Sequence, residues 1–187
     1  MKAWHKLLAI SISILFIGKA SPLKAQNNNP IPNRILGLEL GKVYSDEDVY
    51  FALRQYNSYG NYNYKGNGKY RIKEYTFSTV TFGGYDWECV RVGLIQDAIF
   101  DITFSQHFDN YSDAIARKQD LQNRIESKYG RAHQKESFTF WYDSNNDIFL
   151  KVSREQAMNN NYYYYVHLSY DKAYLLDRIS AAMNEEL

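Results

Sequence analysis

Apolar positions along this chain switch between two periods. Val49, Leu53 and Tyr56 fall at i, i+4 and i+7, the spacing of one helix face. Ser45, with Asp48 three residues on, reads as a capping box, and Asp46, Glu47 and Asp48 put negative charge where a helix dipole favours it. The period then shortens to two. Tyr62 and Tyr64 stand before Asn67-Gly68, and Tyr70 and Ile72 after it, which predicts a hairpin. Strands are predicted over 79–82, over 87–94 with Val90, Val92 and Leu94 inward, and over 98–107 with Phe100, Ile102 and Phe104 on one face. Gly83-Gly84 supplies a turn that tolerates positive φ.

The strongest helix signal follows. Ser112 is its expected cap, Ala114, Leu121, Ile125 and Tyr129 mark its buried side, and Gly130 ends it. Asp113 with Arg117 and Asp120 with Arg124 are i, i+4 pairs for its wet side. Three more strands are predicted over 137–142, 148–154 and 162–170. Asp171 then reads as the cap of a last helix with Leu175, Leu176, Ile179, Ala182 and Met183 as its apolar positions.

The order is helix, strands, helix, strands, helix, and Tyr-Ser-Asp stands at Tyr44 and at Tyr111, at the opening of the first two helices. The expected fold is therefore α+β: an antiparallel sheet of six to eight strands with helices on one face, built from two tandem helix-plus-meander units. Residues 35–108 and 109–187 are the units of a single domain spanning 35–187. Residues 26–34, with Pro30 and Pro32 among asparagines, read as a polar tether.

The first 25 residues differ from the rest. Lys2, His5 and Lys6 precede an apolar run of 11 residues, 7–17. That is too short to cross a bilayer and suited to the core of a signal peptide. Cleavage after Ala25 would leave Gln26 first; Gly18-Lys19-Ala20 is the other small-x-small match. With no Cys near the cut there is no lipid attachment point, and no later run approaches a membrane span. A periplasmic or extracellular destination is expected. Without the leader the balance is 18 Lys and Arg against 21 Asp and Glu, or −3. That balance lacks the basic footprint of a nucleic-acid or anionic-membrane binder. A single Cys, Cys89, excludes an intramolecular disulfide and any zinc site built on two cysteines. Cys89 reads as a small packed side chain.

Chemical motifs are mostly absent. Asp143, Asn145 and Asp147 imitate the start of a calcium loop. Ile148 stands where Gly is needed and Arg154 where Glu is needed, so a polar turn is expected. Gly66-Asn67-Gly68-Lys69 lacks the first Gly and the Ser/Thr of a phosphate loop. His107, His133 and His167 show no metal-ligand spacing, and no Ser stands in a nucleophile elbow. No cofactor or metal is expected, and a carboxylate-driven hydrolase is the remaining enzymatic alternative.

Strand parity supplies the candidate site. With Leu150, Val152, Val166 and Leu168 inward, Phe149, Lys151, Tyr163, Tyr165 and His167 turn outward. With Phe138, Phe140 and Tyr142 inward, Trp141 turns outward. Thr81, Cys89, Arg91, Asp101 and Thr103 make the polar part of the same outward face. The expected binding face is Trp141, Phe149, Tyr163, Tyr165, His167, Lys151, Arg91 and Asp101. Rigid amphipathic rings of this kind are favoured at contact surfaces, and they also pair across strands for stability alone.

The run Gly37-Leu38-Glu39-Leu40-Gly41, followed by Ser45-Asp46-Glu47-Asp48-Val49, resembles the turn and helix start that open some small periplasmic domains. These are the SmpA/OmlA-like outer-membrane assembly lipoproteins and the β-lactamase-inhibitor-protein-like fold. Phe82-Gly83-Gly84-Tyr85-Asp86-Trp87 and the closing strand and helix are similar to secreted proteins of Gram-negative gut-type bacteria. The resemblance implies helix-plus-meander units with helices on one sheet face and a protein-binding surface on the other. It implies no lipid anchor and no paired cysteines here, because the residues for both are missing. The functional expectation is a secreted or periplasmic non-enzymatic module that binds an envelope or extracellular protein. Binding of a glycan or small ligand on the same face is the alternative.

Overall fold

The computed structural model describes residues 29–56, 60–65 (as backbone), 72–135, 137–156, 161–173 and 175. The leader, the Asn67-Gly68 turn and the apolar positions 176–183 of the last helix lie outside them. The elements in chain order are β1 (Arg34–Ile35), β2 (Leu38–Glu39), α1 (Asp46–Arg54), β3 (Gly60–Lys65), β4 (Ile72–Phe82), β5 (Tyr85–Ile95) and β6 (Ala98–Phe108). Then come α2 (Tyr111–Tyr129), β7 (His133–Lys135), β8 (Phe138–Tyr142), β9 (Asn146–Gln156) and β10 (Tyr162–Lys172).

The fold is α+β. β1 and β2 form a small ribbon; the other strands make one eight-stranded antiparallel sheet in the order β3-β4-β5-β6-β10-β9-β8-β7. Each helix is followed by a four-strand meander. The two meanders join through their last strands, Tyr164 opposite Phe108 through Asp171 opposite Asp101.

Both helices lie on one face, here called the near face. α1 buries Val49 and Leu53 and sets the Tyr50 ring edge-on to Tyr75 and Phe77. Its Ser45 capping box forms as the sequence predicts. α2 buries Ala114, Leu121, Ile125 and Tyr129, the expected set. Its cap is Asn110, whose side chain accepts from the Asp113 amide, not Ser112. Tyr-Ser-Asp therefore stands in different register at the two helix starts. One continuous core joins both halves, including Leu53, Tyr75, Val92, Ile102, Phe104, Ile125, Leu150 and Val166.

Two irregularities reset strand parity. Between Phe77 and Val80 two outward residues intervene, with Thr79 at φ 58, and Glu88 and Cys89 do the same between Trp87 and Val90. The hairpin tip beyond this step packs Phe82 and Trp87 on Phe104 and holds Tyr85 against α2. The second is a bulge opposite Gly93 and Leu94, where Leu94 pairs with Ile99 and Gly93 with Asp101. It places Ile99 in the core and lays the Phe100 ring over Gly93, against the expected inward position of Phe100. A Cβ at Gly93 would collide with Asp101 Oδ1 and with that ring, so glycine is required there by close approach.

Three boundaries move. The expected tether is part of the fold from Asn29 onward. Ile31 is buried, its amide donates to Asp143 Oδ2, and Asn29 donates to the Lys128 carbonyl. Asp171, expected as a helix cap, is a paired residue near the end of β10. Most strands run past their predicted ends, β4 from Ile72, β9 from Asn146 to Gln156 and β10 to Lys172. The Asp143 turn is the expected polar one, its Oδ1 accepting from the amides of Asn145 and Asn146. Among the described residues no helix is long and apolar enough to cross a membrane.

Candidate functional site on the far face

The sheet surface turned away from α1 and α2 is a grid fixed by register. One row reads Phe140, Phe149, Ser169, Thr103, Arg91 across β8, β9, β10, β6 and β5. The next reads Phe138, Lys151, His167, Ser105, Cys89. Beyond it stand Ser153, Tyr165 and His107, and on the other side Asp147, Asp171, Asp101 and Gly93. Seven of the eight expected site residues therefore share this face: Phe149, Tyr163, Tyr165, His167, Lys151, Arg91 and Asp101.

Trp141 does not. It is 1% exposed on the near face, and its indole N–H donates to the Gly130 carbonyl at the end of α2, 3.0 Å away. Phe138, Phe140 and Tyr142 accordingly turn to the far face, the reverse of the expected parity for β8. The pattern Phe-Thr-Phe-Trp-Tyr has no polar alternation to fix the face. Burying the indole with its donor satisfied outweighs burying smaller rings, and Thr139 goes inward with it.

The correction enlarges the aromatic surface. Phe138, Phe140, Tyr142 and Phe149 pack with His133, ring centroids 5.1 to 6.3 Å apart. Across Lys151 and His167 lies a second group. His107 meets Tyr163 at 4.8 Å and Tyr165 at 5.6 Å, and Tyr165 stacks on His167 at 6.0 Å. His107, His133 and the β8 rings were missed as site members; the edge strand β7, only three residues long, has too little pattern to be read.

Two polar groups knit the middle of the face. His167 is bonded at both ring nitrogens, Nδ1 to Ser105 Oγ at 2.9 Å and Nε2 to Ser153 Oγ at 2.8 Å. A neutral imidazole fits this, donating at one nitrogen and accepting at the other. Burial, with Lys151 and Arg91 nearby, pulls its pKa down to about 4.

The second group is a chain. Arg91 Nη2 donates to Asp101 Oδ2 at 2.7 Å, with Glu74 at 3.4 Å from Nη1. Thr103 Oγ1 lies 2.9 Å from Asp101 Oδ2 and 2.8 Å from Ser169 Oγ, which lies 2.6 Å from Asp171 Oδ1. These last three contacts need three protons, and two hydroxyls supply two. Asp101 is the acid that Arg91 pairs with, and the third proton is placed on Asp171, across its contact with Ser169. Burial first, and the Asp101 charge second, push the Asp171 pKa well above the carboxylate range. Burial also raises the Cys89 thiol pKa, which fits a packed cysteine.

Among the described residues no group of three or more His, Cys, Asp or Glu is placed to hold a metal ion. The acids of the chain are engaged with Arg91, Thr103 and Ser169, and the imidazole of His167 with two serines. What stays available for contact is the rims of two aromatic groups and the Lys151 ammonium between them. Comparisons with protein-family models, with curated protein sequences and with solved structures returned no match.

Proposed function

We propose that this chain is an exported, non-enzymatic binding module that takes another protein on the far face of its sheet. The carrying observation is the pair of aromatic groups, Phe138, Phe140, Tyr142 and Phe149 on one side and Tyr163, Tyr165 and His107 on the other. These rings pack against one another while remaining partly exposed. They spread over β7, β8, β9, β10 and β6, roughly 20 Å at the usual strand spacing. That is the breadth of a protein contact, wider than a single sugar ring. His167, with both nitrogens engaged and its pKa near 4, is poorly suited to act as a base at neutral pH. The setting outside the cytoplasm rests on the leader of residues 1–25, and the fold itself assigns no partner.

The test is capture of envelope proteins by the wild-type chain beside Phe149→Ala and Tyr165→Ala variants, with a glycan array run in parallel. Loss of capture by at least tenfold with melting temperatures within about 2 °C supports the reading, since a partly exposed ring contributes little to the core. Lower melting temperatures with capture intact would make the rings packing residues.

A further inference from the structure

Among the described residues, the charged and hydrogen-bonding side chains at the centre of the far face are paired to one another, Lys151 excepted. Arg91 is held by Asp101 and Glu74, Thr103 and Ser169 link Asp101 to Asp171, and His167 is held by two serines. Lys151 is half-buried among them, and among the described residues its ammonium has no hydrogen bond and no ion pair. Its register neighbours are Phe138 on β8 and His167 on β10, and Phe149 and Ser153 flank it along β9. Tyr165 and Phe140 stand on the diagonals, and no carboxylate of the described residues occupies an adjacent grid position.

A lysine on a sheet surface ordinarily carries its head into water on a flexible stem. Rings on two sides hold water away from this one, and burial, with Arg91 nearby, lowers its pKa. A half-dehydrated, unpaired ammonium raises the free energy of the isolated protein. An anion arriving in the complex removes that cost, and the rings dry the contact and strengthen it. One point charge suits a singly charged carboxylate. A phosphate is better met by several donors or by a guanidinium fork, and both Nη atoms of Arg91 already face carboxylates, Asp101 and Glu74. The rings on both sides further require that the acid come embedded in apolar surface.

We propose that the partner enters the far face with an aspartate or glutamate set among apolar or aromatic residues, and that its carboxylate pairs with Lys151 between the Phe138–Phe149 and Tyr165–His167 rings. This rests on the reading of that face as a protein-binding surface. A partner lacking the acid leaves the ammonium buried and unpaired, so Lys151 works as a specificity element as well as a contact.

The experiment is selection of a phage-displayed random 12-residue peptide library on the full chain. It is followed by anisotropy titration of the synthetic consensus peptide against wild type, Lys151→Met, Lys151→Arg and a Phe149→Ala/Tyr165→Ala double variant. Circular dichroism of each variant serves as the folding control. The expected consensus contains an acid next to aromatic residues. Lys151→Met weakens it at least tenfold and Lys151→Arg within about threefold. Converting the acid to its amide weakens wild-type binding by the Lys151→Met factor and weakens Lys151→Met no further, the signature of a direct pair. Peptides that lose binding to the double variant but ignore both Lys151→Met and the amide change overturn the pairing and leave the protein-binding face standing. No enrichment, peptides indifferent to the double variant, or Lys151-dependent binding of oligogalacturonate alone would overturn both.

Discussion

His167 and Asp171 stand two rows apart on β10 and respond to pH in opposite senses. The pKa of His167 is about 4 in the folded chain and near 6.5 when unfolded. The unfolded chain therefore binds the extra proton first as pH falls. The stabilisation from neutral His167 is complete above about 6.5 and is lost between about 6.5 and 4, on the order of 3 kcal/mol in all. Urea melts at pH 7 and pH 4.5 should show this loss in wild type and not in His167→Gln; parallel profiles would reject it. Asp171 is displaced upward, so its protonated form is the folded one. Its contribution is complete below the ordinary carboxylate pKa of about 3.9 and declines as pH rises above it. Asp171→Asn keeps a donor toward Ser169 and carries no charge. Its melting temperature should match wild type near pH 4 and exceed it by a few degrees at pH 8; a deficit at both pH values would show that the carboxyl is needed ionised. Sequence parity alone placed Lys151, Phe149, Tyr165 and His167 on one face. It was silent on which polar residues would pair there, because that depends on cross-strand register, and register between distant strands leaves no local trace.

At the scale of elements, β8 shows where alternation stops being informative. Leu150, Val166 and Leu168 are buried as their polar neighbours predict, because each strand has a face that tolerates water. Phe138 to Tyr142 offers four rings in five residues, and only the carbonyl of Gly130 decides the matter by accepting from Trp141. Trp141→Ala should therefore cost about 3–5 kcal/mol through the cavity and the orphaned carbonyl. Chemical denaturation would measure this, and a cost below about 1 kcal/mol, far under that range, would return the indole to the far face. The α2 face was legible because its apolar spacing persists over five turns, whereas its cap was not. Asn110, Ser112 and Asp113 are all good capping residues, and which one leads is set by where Phe108 leaves the sheet.

For the whole molecule, the seam between β6 and β10 matters most. It carries eight register pairs, and the core runs across it without a break. The halves also interlock, since the tip of the β4–β5 hairpin grips α2, Tyr85 lying between the Arg117 and Arg124 guanidinium groups. Calorimetry should therefore give one transition with equal calorimetric and van't Hoff enthalpies, although the chain divides into two similar halves; two resolved transitions would show independent units. Lys172, near the end of β10, donates to Asn33 and to Asn146 at 3.0 Å each, and Asn146 donates to the Ile31 carbonyl. This clasp brings the first and last strands of the fold within side-chain reach of each other. Among the described residues the path of the backbone from β1 to β10 is thus nearly a closed ring, and where the ring is cut is a matter of connectivity more than of architecture. Joined by a short linker between these ends and opened at residues 109–110, between the meander of the first half and the helix of the second, the same fold could be written in rotated order.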